Sequence, residues 1–298
     1  MQITAFQKLS DRIYFLGNKE SIIYLFGKNE EYALLGGGMA TIAPLVEEQI
    51  NELSIDVKKI KTHVILHSHF DHVGVVPYFK NKWPWMRIAA SRPAQAILVK
   101  PKVIASIDFL NQMLFKERNF MQEAESMGLT PFTAINVDQV LEDGDILNID
   151  GSKLKAITVP GHSSCSIALY SPEEKAMFAS DAGGLPVLDA VFTVANSNFD
   201  DYIQNIGKMM EYDIDFFLPE HFSALTGSEA GSFLKKSLAS AKETKLFLKS
   251  SLLKSNDIEI SKKEVTEAFM KSMPDGFFPQ YIVEIVVGQM LNYIKGQL

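Results

Sequence analysis

The sequence has little of what several classes of protein require. Its 298 residues contain one cysteine, Cys165, so no internal disulfide can form, and we expect a cytoplasmic protein. No run of about 18 apolar residues suggests a membrane-spanning helix, and residues 1–20 lack the basic-then-apolar pattern of a signal peptide. Repeats and low-complexity segments are absent as well. These absences favour an ordinary globular protein.

Positive charge is also scarce. The chain has 29 Lys and Arg against 36 Asp and Glu, which gives a net charge of −7, and it has no basic run. Such a chain is a poor partner for a nucleic-acid backbone or an anionic membrane, so we expect neither and predict a small-molecule substrate instead. Apolar residues make up 47% of the sequence, which is enough to fill a substantial core.

Histidine is uncommon, and its distribution is uneven. Three of the six histidines lie within residues 67–72, which read His-Ser-His-Phe-Asp-His. This run follows residues 61–66, an apolar and β-branched segment typical of a buried strand. An ordinary strand end does not have three imidazoles and a carboxylate within six residues, because burying so many polar side chains is costly. The run therefore predicts a metal site, with ligands that suit Zn, Fe or Mn.

Further ligands must come from other parts of the chain. Downstream of the run, His162, Asp181 and His221 each follow a short apolar segment. Strand ends are where open sheets commonly place functional groups, so these three residues are candidate ligands. His63 lies two pleats deeper than His67 on the same strand face, and we interpret it as a core histidine with satisfied hydrogen bonds.

Together these residues resemble a known metal motif. The resemblance rests on His67, His69, Asp71, His72, His162, Asp181 and His221. Their order and rough spacing resemble the metallo-β-lactamase superfamily of hydrolases, especially its dinuclear members similar to glyoxalase II, over about the first 225 residues. The resemblance implies an α+β fold, a four-layer αββα sandwich with two metals in a cleft along one edge.

The same resemblance implies roles for the ligands. His67, His69 and His162 would hold one divalent metal, Asp71, His72 and His221 the other, and Asp181 would bridge them. Zinc is the first expectation for both, with Fe or Mn as alternatives. The implied reaction is hydrolysis by a bridging hydroxide, with Asp71 as the catalytic residue that passes a proton to the leaving group. Segments rich in Phe and Met favour a thioester, ester or lactone with an apolar part.

Two of the departures from the family pattern bear on the metal site. Many members end the fourth strand with an Asp that supports the metal site, whereas this chain has three glycines at residues 36–38, which would let a loop approach the metals closely. Glu220 stands where relatives often have glycine before the last histidine. It could contact His221 or the substrate, or point to solvent.

The chain divides into residues 1–226, the metallo-β-lactamase-like domain, and residues 227–298, a C-terminal helical extension. In length and in this tail it is similar to quinolone-signal response proteins. The tail is expected either to cap the active-site mouth or to form a homodimer.

Local patterns predict individual elements. Residues 3–7, 12–16, 21–26 and 32–35 read as an antiparallel series of strands. Residues 103–127 predict one long helix. Thr41 and Asn198 are predicted helix caps, and Ser261 with Glu264 reads as a capping box.

Two alternative functions stay open. An iron-dependent sulfur dioxygenase of the same fold would use one metal, and ligand type alone does not fix the number of metals. A signalling or regulatory binder would keep the scaffold without depending on hydrolysis. A serine hydrolase is excluded, because residues 161–165 lack the serine-centred spacing of a nucleophile elbow.

Overall fold

The computed structural model describes residues 1–273 and 279–298. The chain forms two compact units, each described by itself below. Unit 1 comprises Met1–Thr158, Cys165–Ser180 and Ile214–Gly231, and unit 2 comprises Val159–Ser164, Asp181–Asp213 and Ser232–Leu298.

Sixteen strands and nine α-helices are assigned within the described residues. The strands are β1 (Gln2–Ile3), β2 (Gln7–Lys8), β3 (Ile13–Asn18), β4 (Ser21–Gly27), β5 (Tyr32–Leu35), β6 (Ile60–Ile65), β7 (Arg87–Ser91), β8 (Gln139–Leu141), β9 (Ile146–Ile149), β10 (Ser152–Thr158), β11 (Ile167–Ser171), β12 (Ala176–Phe178), β13 (Leu185–Val187), β14 (Ala190–Phe192), β15 (Phe216–Leu218) and β16 (Ala224–Thr226). The helices are α1 (Ala43–Glu52), α2 (Val76–Lys82), α3 (Arg92–Ile97), α4 (Pro101–Glu117), α5 (Met121–Ser126), α6 (Phe199–Met209), α7 (Ser228–Ser255), α8 (Ile258–Ser272) and α9 (Gln280–Lys295).

Unit 1 contains two seven-stranded sheets. The first has the order β2-β3-β4-β5-β6-β7-β8, antiparallel from β2 to β5 and parallel from β5 to β8. The second has the order β1-β16-β15-β12-β11-β10-β9, and only its β12–β15 pairing is parallel. These two sheets and the helices confirm the predicted α+β class.

The two sheets of unit 1 share one apolar core. On β4, Tyr24 and Phe26 belong to this core and pack edge to face on Phe178 of the second sheet, with ring centroids 5.6 and 5.9 Å apart. The alternate residues Ile23 and Leu25 belong to a separate core, formed with helices α1 to α5. Because successive side chains point to opposite faces, a strand between two cores is apolar throughout. This explains the uninterrupted apolar run on β4.

Unit 2 is mainly helical, with one hairpin formed by β13 and β14. Helix α9 packs against both α6 and α8. The predicted cap of α6 is confirmed, because the Asn198 side chain accepts hydrogen bonds from the backbone N–H groups of Asp200 and Asp201. Helices after Gly227 are also confirmed. The division at residue 226 stays a prediction, and residues 274–278 of the proposed extension lie outside the described part of the chain.

Three local predictions are wrong for identifiable reasons. Residues 3–7 do not form one strand, since β1 pairs with β16 and β2 with β3 in the other sheet. The predicted helix 103–127 is interrupted where Asn119 adopts a φ of 55°, a left-handed conformation that ends a helix. Thr41 lies in a short 3₁₀ turn, and α1 begins at Ala43 without a side-chain cap.

The predicted capping box is also wrong. Ser261 lies inside α8, whose cap is the side chain of Asp257. The Ser261 hydroxyl instead lies 2.7 Å from that of Ser255, and the Glu264 carboxylate accepts a hydrogen bond from Ser251. No helix in the described ranges is both long enough and apolar enough to cross a membrane.

Candidate metal centre

The histidine run, residues 67–72, follows a buried central strand of the first sheet of unit 1. Strand β6 lies between β5 and β7 and leads directly to His67, which is fully buried. The ring centroids of His67 and His69 are 4.7 Å apart, and those of His67 and His72 are 4.0 Å apart. The Nδ1 of His67 lies 3.1 Å from the Ser180 hydroxyl. The three imidazoles of the run therefore lie close together.

His221 joins the same cluster from the second sheet of unit 1. The nearest potential ligand atoms of Asp71, His72 and His221 all lie within 4.8 Å of one another. The two Nε2 atoms of His72 and His221 are 3.0 Å apart. One oxygen of Asp71 lies 3.6 Å from the first of these nitrogens and 3.5 Å from the second.

The hairpin between β3 and β4 fixes His221 in this position. The ring Nδ1 of His221 donates a hydrogen bond to the carbonyl oxygen of Glu20, at 2.6 Å. The N–H of the next residue, Phe222, donates to the carbonyl oxygen of Lys19, also at 2.6 Å. Residues 19 and 20 thus hold the last histidine of the chain by its ring and by the adjacent backbone.

The donor set of this cluster fits a divalent metal. A carbonyl oxygen accepts only, so Nδ1 of His221 must carry the proton and its Nε2 presents a lone pair. His72 has the same arrangement, because its Nδ1 lies 2.8 Å from the Glu220 carboxylate. Two such nitrogens 3.0 Å apart, beside the Asp71 carboxylate, repel one another unless positive charge lies between them. Two neutral imidazoles and a carboxylate suit Zn, Fe or Mn.

Unit 2 brings His162 and Asp181 together in a similar way. The Nδ1 of His162 donates to the carbonyl oxygen of Val194 at 2.7 Å, so its Nε2 presents a lone pair, 3.5 Å from a carboxylate oxygen of Asp181. The loop comes this close to α6 because residue 161 is glycine. A Cβ on Gly161 would lie 2.4 Å from the backbone of Tyr202. Unit 2 therefore presents its own buried imidazole–carboxylate pair.

His63 is a core histidine, as predicted, but its hydrogen bonds are only partly satisfied, because its Nδ1 has no hydrogen-bond partner in the part of the chain that the structure describes. It is fully buried, and its Nε2 donates a hydrogen bond to the carbonyl oxygen of Gly36 at 2.8 Å. Burial lowers the pKa of His63 from 6.5 to about 4, although the bond to Gly36 opposes this shift. Cys165 is also buried, and its thiol lies 3.2 Å from the Ser68 hydroxyl.

Glu220 makes a contact that the sequence did not reveal. Its carboxylate is buried against His72 rather than against the neighbouring His221. Beside it, burial and then the charge of Glu220 raise the pKa of the Tyr24 phenol well above its ordinary value. The only sequence signal was an acid in place of a glycine, since its partner lies 148 residues earlier.

The family of this chain is shown by its sequence. The sequence model of the metallo-beta-lactamase superfamily matches residues 19–221, so the chain belongs to that superfamily and is a hydrolase. Two curated relatives have related activities. The acyl-coenzyme A thioesterase MBLAC2 of Gallus gallus is 23% identical over 229 residues, which cover 72% of this chain and 76% of that protein. The hydroxyacylglutathione hydrolase of Prochlorococcus marinus is 25% identical over 165 residues, with 54% and 49% covered.

A solved structure agrees with the family assignment. The metallo-beta-lactamase family protein TTHA1429 from Thermus thermophilus superposes with a TM-score of 0.69 at 17% identity, covering 97% of this chain and 95% of that one. The metallo-β-lactamase fold with additional C-terminal helices is therefore confirmed.

Proposed function

We propose that this hydrolase uses a dinuclear metal centre to hydrolyse a thioester or lactone with an apolar part. The observation that carries the proposal is the pair of Nε2 atoms of His72 and His221, 3.0 Å apart with the Asp71 carboxylate beside them. The ligand assignment remains part of the proposal. One metal is assigned to His67, His69 and His162, the other to Asp71, His72 and His221, with Asp181 shared by both.

Two divalent ions held by these residues would supply Lewis acidity and would make bound water more acidic. The protein side chains have separate tasks. His72 and His221 are fixed by the hydrogen bonds that their Nδ1–H groups donate, so their Nε2 atoms are preorganised to bind. The Asp71 side chain is 21% exposed, whereas those of both histidines are at most 2% exposed. Asp71 is therefore the member of the cluster that a substrate can reach, as proton transfer to a leaving group requires.

An apolar surface lies on the helix that packs against the ligand turn. Helix α4 contacts the turn formed by Phe70–His72. It also exposes Phe109 and Met113, one helical turn apart, at 62% and 37%. Large exposed apolar side chains in one place often belong to a binding surface. This surface and the relative that is an acyl-coenzyme A thioesterase support a thioester substrate with an apolar acyl group.

The first test is metal content, followed by a panel of thioesters, esters and lactones assayed on the same protein. We expect about two equivalents of Zn, Fe or Mn per chain and hydrolysis of at least one thioester. One equivalent of iron with oxygen consumption would instead indicate the sulfur dioxygenase. No metal after reconstitution would indicate a binder and overturn the proposal.

The second test is the substitution Asp71→Asn. We expect it to lower turnover by about 10²-fold or more, because an amide cannot accept and pass on a proton. Asp138→Asn is the matched control, since Asp138 accepts a hydrogen bond from the backbone of Ile88 within the same unit and does not belong to the cluster. Near-normal turnover of Asp71→Asn with full metal loading would contradict the role of Asp71.

A further inference from the structure

Glu220 is buried without the partners that usually accompany a buried carboxylate. Only 1% of the residue is exposed. Its Oε2 accepts a hydrogen bond from Nδ1 of His72 at 2.8 Å, and its Oε1 has no hydrogen-bond partner among the described residues. Burying a carboxylate with a single neutral donor is unfavourable, because the lost hydration is only partly replaced. Packing alone does not explain an acid at this position.

The space for this carboxylate exists because residue 36 is glycine. A Cβ on Gly36 would lie 2.6 Å from the carboxyl carbon of Glu220 and 2.8 and 3.0 Å from its two oxygens. The glycine cannot move away easily. Its N–H donates to the carbonyl oxygen of Val64 at 2.9 Å, and its own carbonyl oxygen accepts from His63. Strand β5 therefore ends in a fixed cavity that is filled by an acid from a distant loop.

The loop that carries Glu220 is itself fixed to strand β4. The Tyr24 hydroxyl donates to the carbonyl oxygen of Pro219 at 2.6 Å. The N–H of Ile22 donates to the carbonyl oxygen of Glu220 at 2.8 Å. From this backbone, Glu220 reaches Nδ1 of His72, and the next residue, His221, lies 3.0 Å from its Nε2. Two consecutive residues thus contact both nitrogens of one imidazole.

We propose that Glu220 is the positioning residue for His72, and that Gly36 forms the cavity which this role requires. The carboxylate holds the proton on Nδ1, fixes the ring orientation and keeps the Nε2 lone pair directed at the metal. The acid that is missing from the end of β5 is thereby supplied from the opposite sheet of unit 1. This inference rests on the proposed metal centre, and outer hydrogen bonds of this kind typically change metal affinity 10- to 100-fold.

The test compares Glu220→Ala and Glu220→Gln with wild type, using Zn²⁺ and Co²⁺ added to metal-free protein. In Glu220→Ala we expect one of the two metal equivalents to bind about 10- to 100-fold more weakly, with an altered Co²⁺ absorption spectrum. Glu220→Gln keeps an oxygen acceptor and the side-chain length, so it should restore part of the affinity. Asp138→Ala serves as the control for losing a hydrogen-bonded carboxylate elsewhere in unit 1.

A second readout needs no metal. The ¹⁵N shifts of the His72 ring should show the Nδ1–H tautomer in wild type and a mixture of tautomers in Glu220→Ala. Wild-type affinity, spectrum and tautomer in Glu220→Ala would overturn the inference. If wild type bound no metal, the proposed function would fail, and the ring shifts would still decide the role of Glu220.

The cavity is tested by a double-mutant cycle. Gly36→Ala should weaken the same metal equivalent, because its methyl group occupies the space of the carboxylate. In a Glu220→Ala background the same change should have no further effect on affinity, since the carboxylate is already gone. Backbone strain at Gly36, whose φ is 88°, would act equally in both backgrounds. Equal effects in both backgrounds would therefore contradict the coupling.

Discussion

The buried His63 should make the stability of this protein depend on pH in a defined window. Its folded pKa of about 4 lies below its ordinary value of 6.5. Between these values the unfolded chain binds the extra proton and the folded chain does not, so stability is full above pH 6.5 and is lost as the pH falls towards 4. The whole shift corresponds to about 3 kcal/mol, of which about 2 kcal/mol should be lost between about pH 7.5 and pH 5.

The substitution His63→Gln isolates this contribution. Glutamine does not titrate, and its amide N–H can still donate to the carbonyl oxygen of Gly36. We would measure the free energy of unfolding by urea titration of metal-free protein at about pH 7.5 and pH 5. Every other ionisable group is common to both proteins, so the wild type should lose about 2 kcal/mol more than the variant. Equal losses would refute a neutral, buried His63.

Two further predictions concern other parts of the chain. Asn111 on α4 is fully buried, and neither polar atom of its side-chain amide has a hydrogen-bond partner within the described ranges. Because burying such an amide is unfavourable, Asn111→Leu should raise the free energy of unfolding by about 1–3 kcal/mol. A lower free energy of unfolding, measured by urea titration, would contradict this. Leu246 and Leu253 on α7 are two turns apart and 69% and 64% exposed. If the C-terminal helices form a homodimer rather than a cap, which are their two expected roles, Leu246→Glu with Leu253→Glu should convert that dimer to a monomer in sedimentation experiments, and a monomeric wild type would exclude the dimer.

The parts of the site that the sequence predicted are those with a local signature. The run at residues 67–72 combines a strand pattern with closely spaced ligands, and both features are visible without tertiary structure. The core role of His63 followed from its position on the same strand. The cap at Asn198 was predicted because its acceptor and its donors lie within three residues.

What the sequence did not predict depends on contacts between distant residues. Glu220 is adjacent to His221, but its hydrogen bond goes to His72, and only the fold brings those two together. Residues 3–7 do not form one strand because their two ends pair in different sheets, β1 with β16 and β2 with β3. The sequence does not predict the end of the helix at Asn119, because the helical spacing of apolar residues continues on both sides of it. A single residue of weak helix propensity is a weaker signal than that spacing.

The hydrogen bond between His221 and Glu20 joins the two ends of a long stretch of chain. These residues are separated by 201 positions, and the contact of Glu220 with His72 spans 148. Each of these contacts closes a long loop, and the entropy lost in closing it opposes formation of the contact. The ribosome must synthesise the chain as far as His221 before the cluster of Asp71, His72 and His221 can assemble. Metal binding by all three residues of that cluster therefore requires that residues 71 and 221 have both been synthesised and brought together.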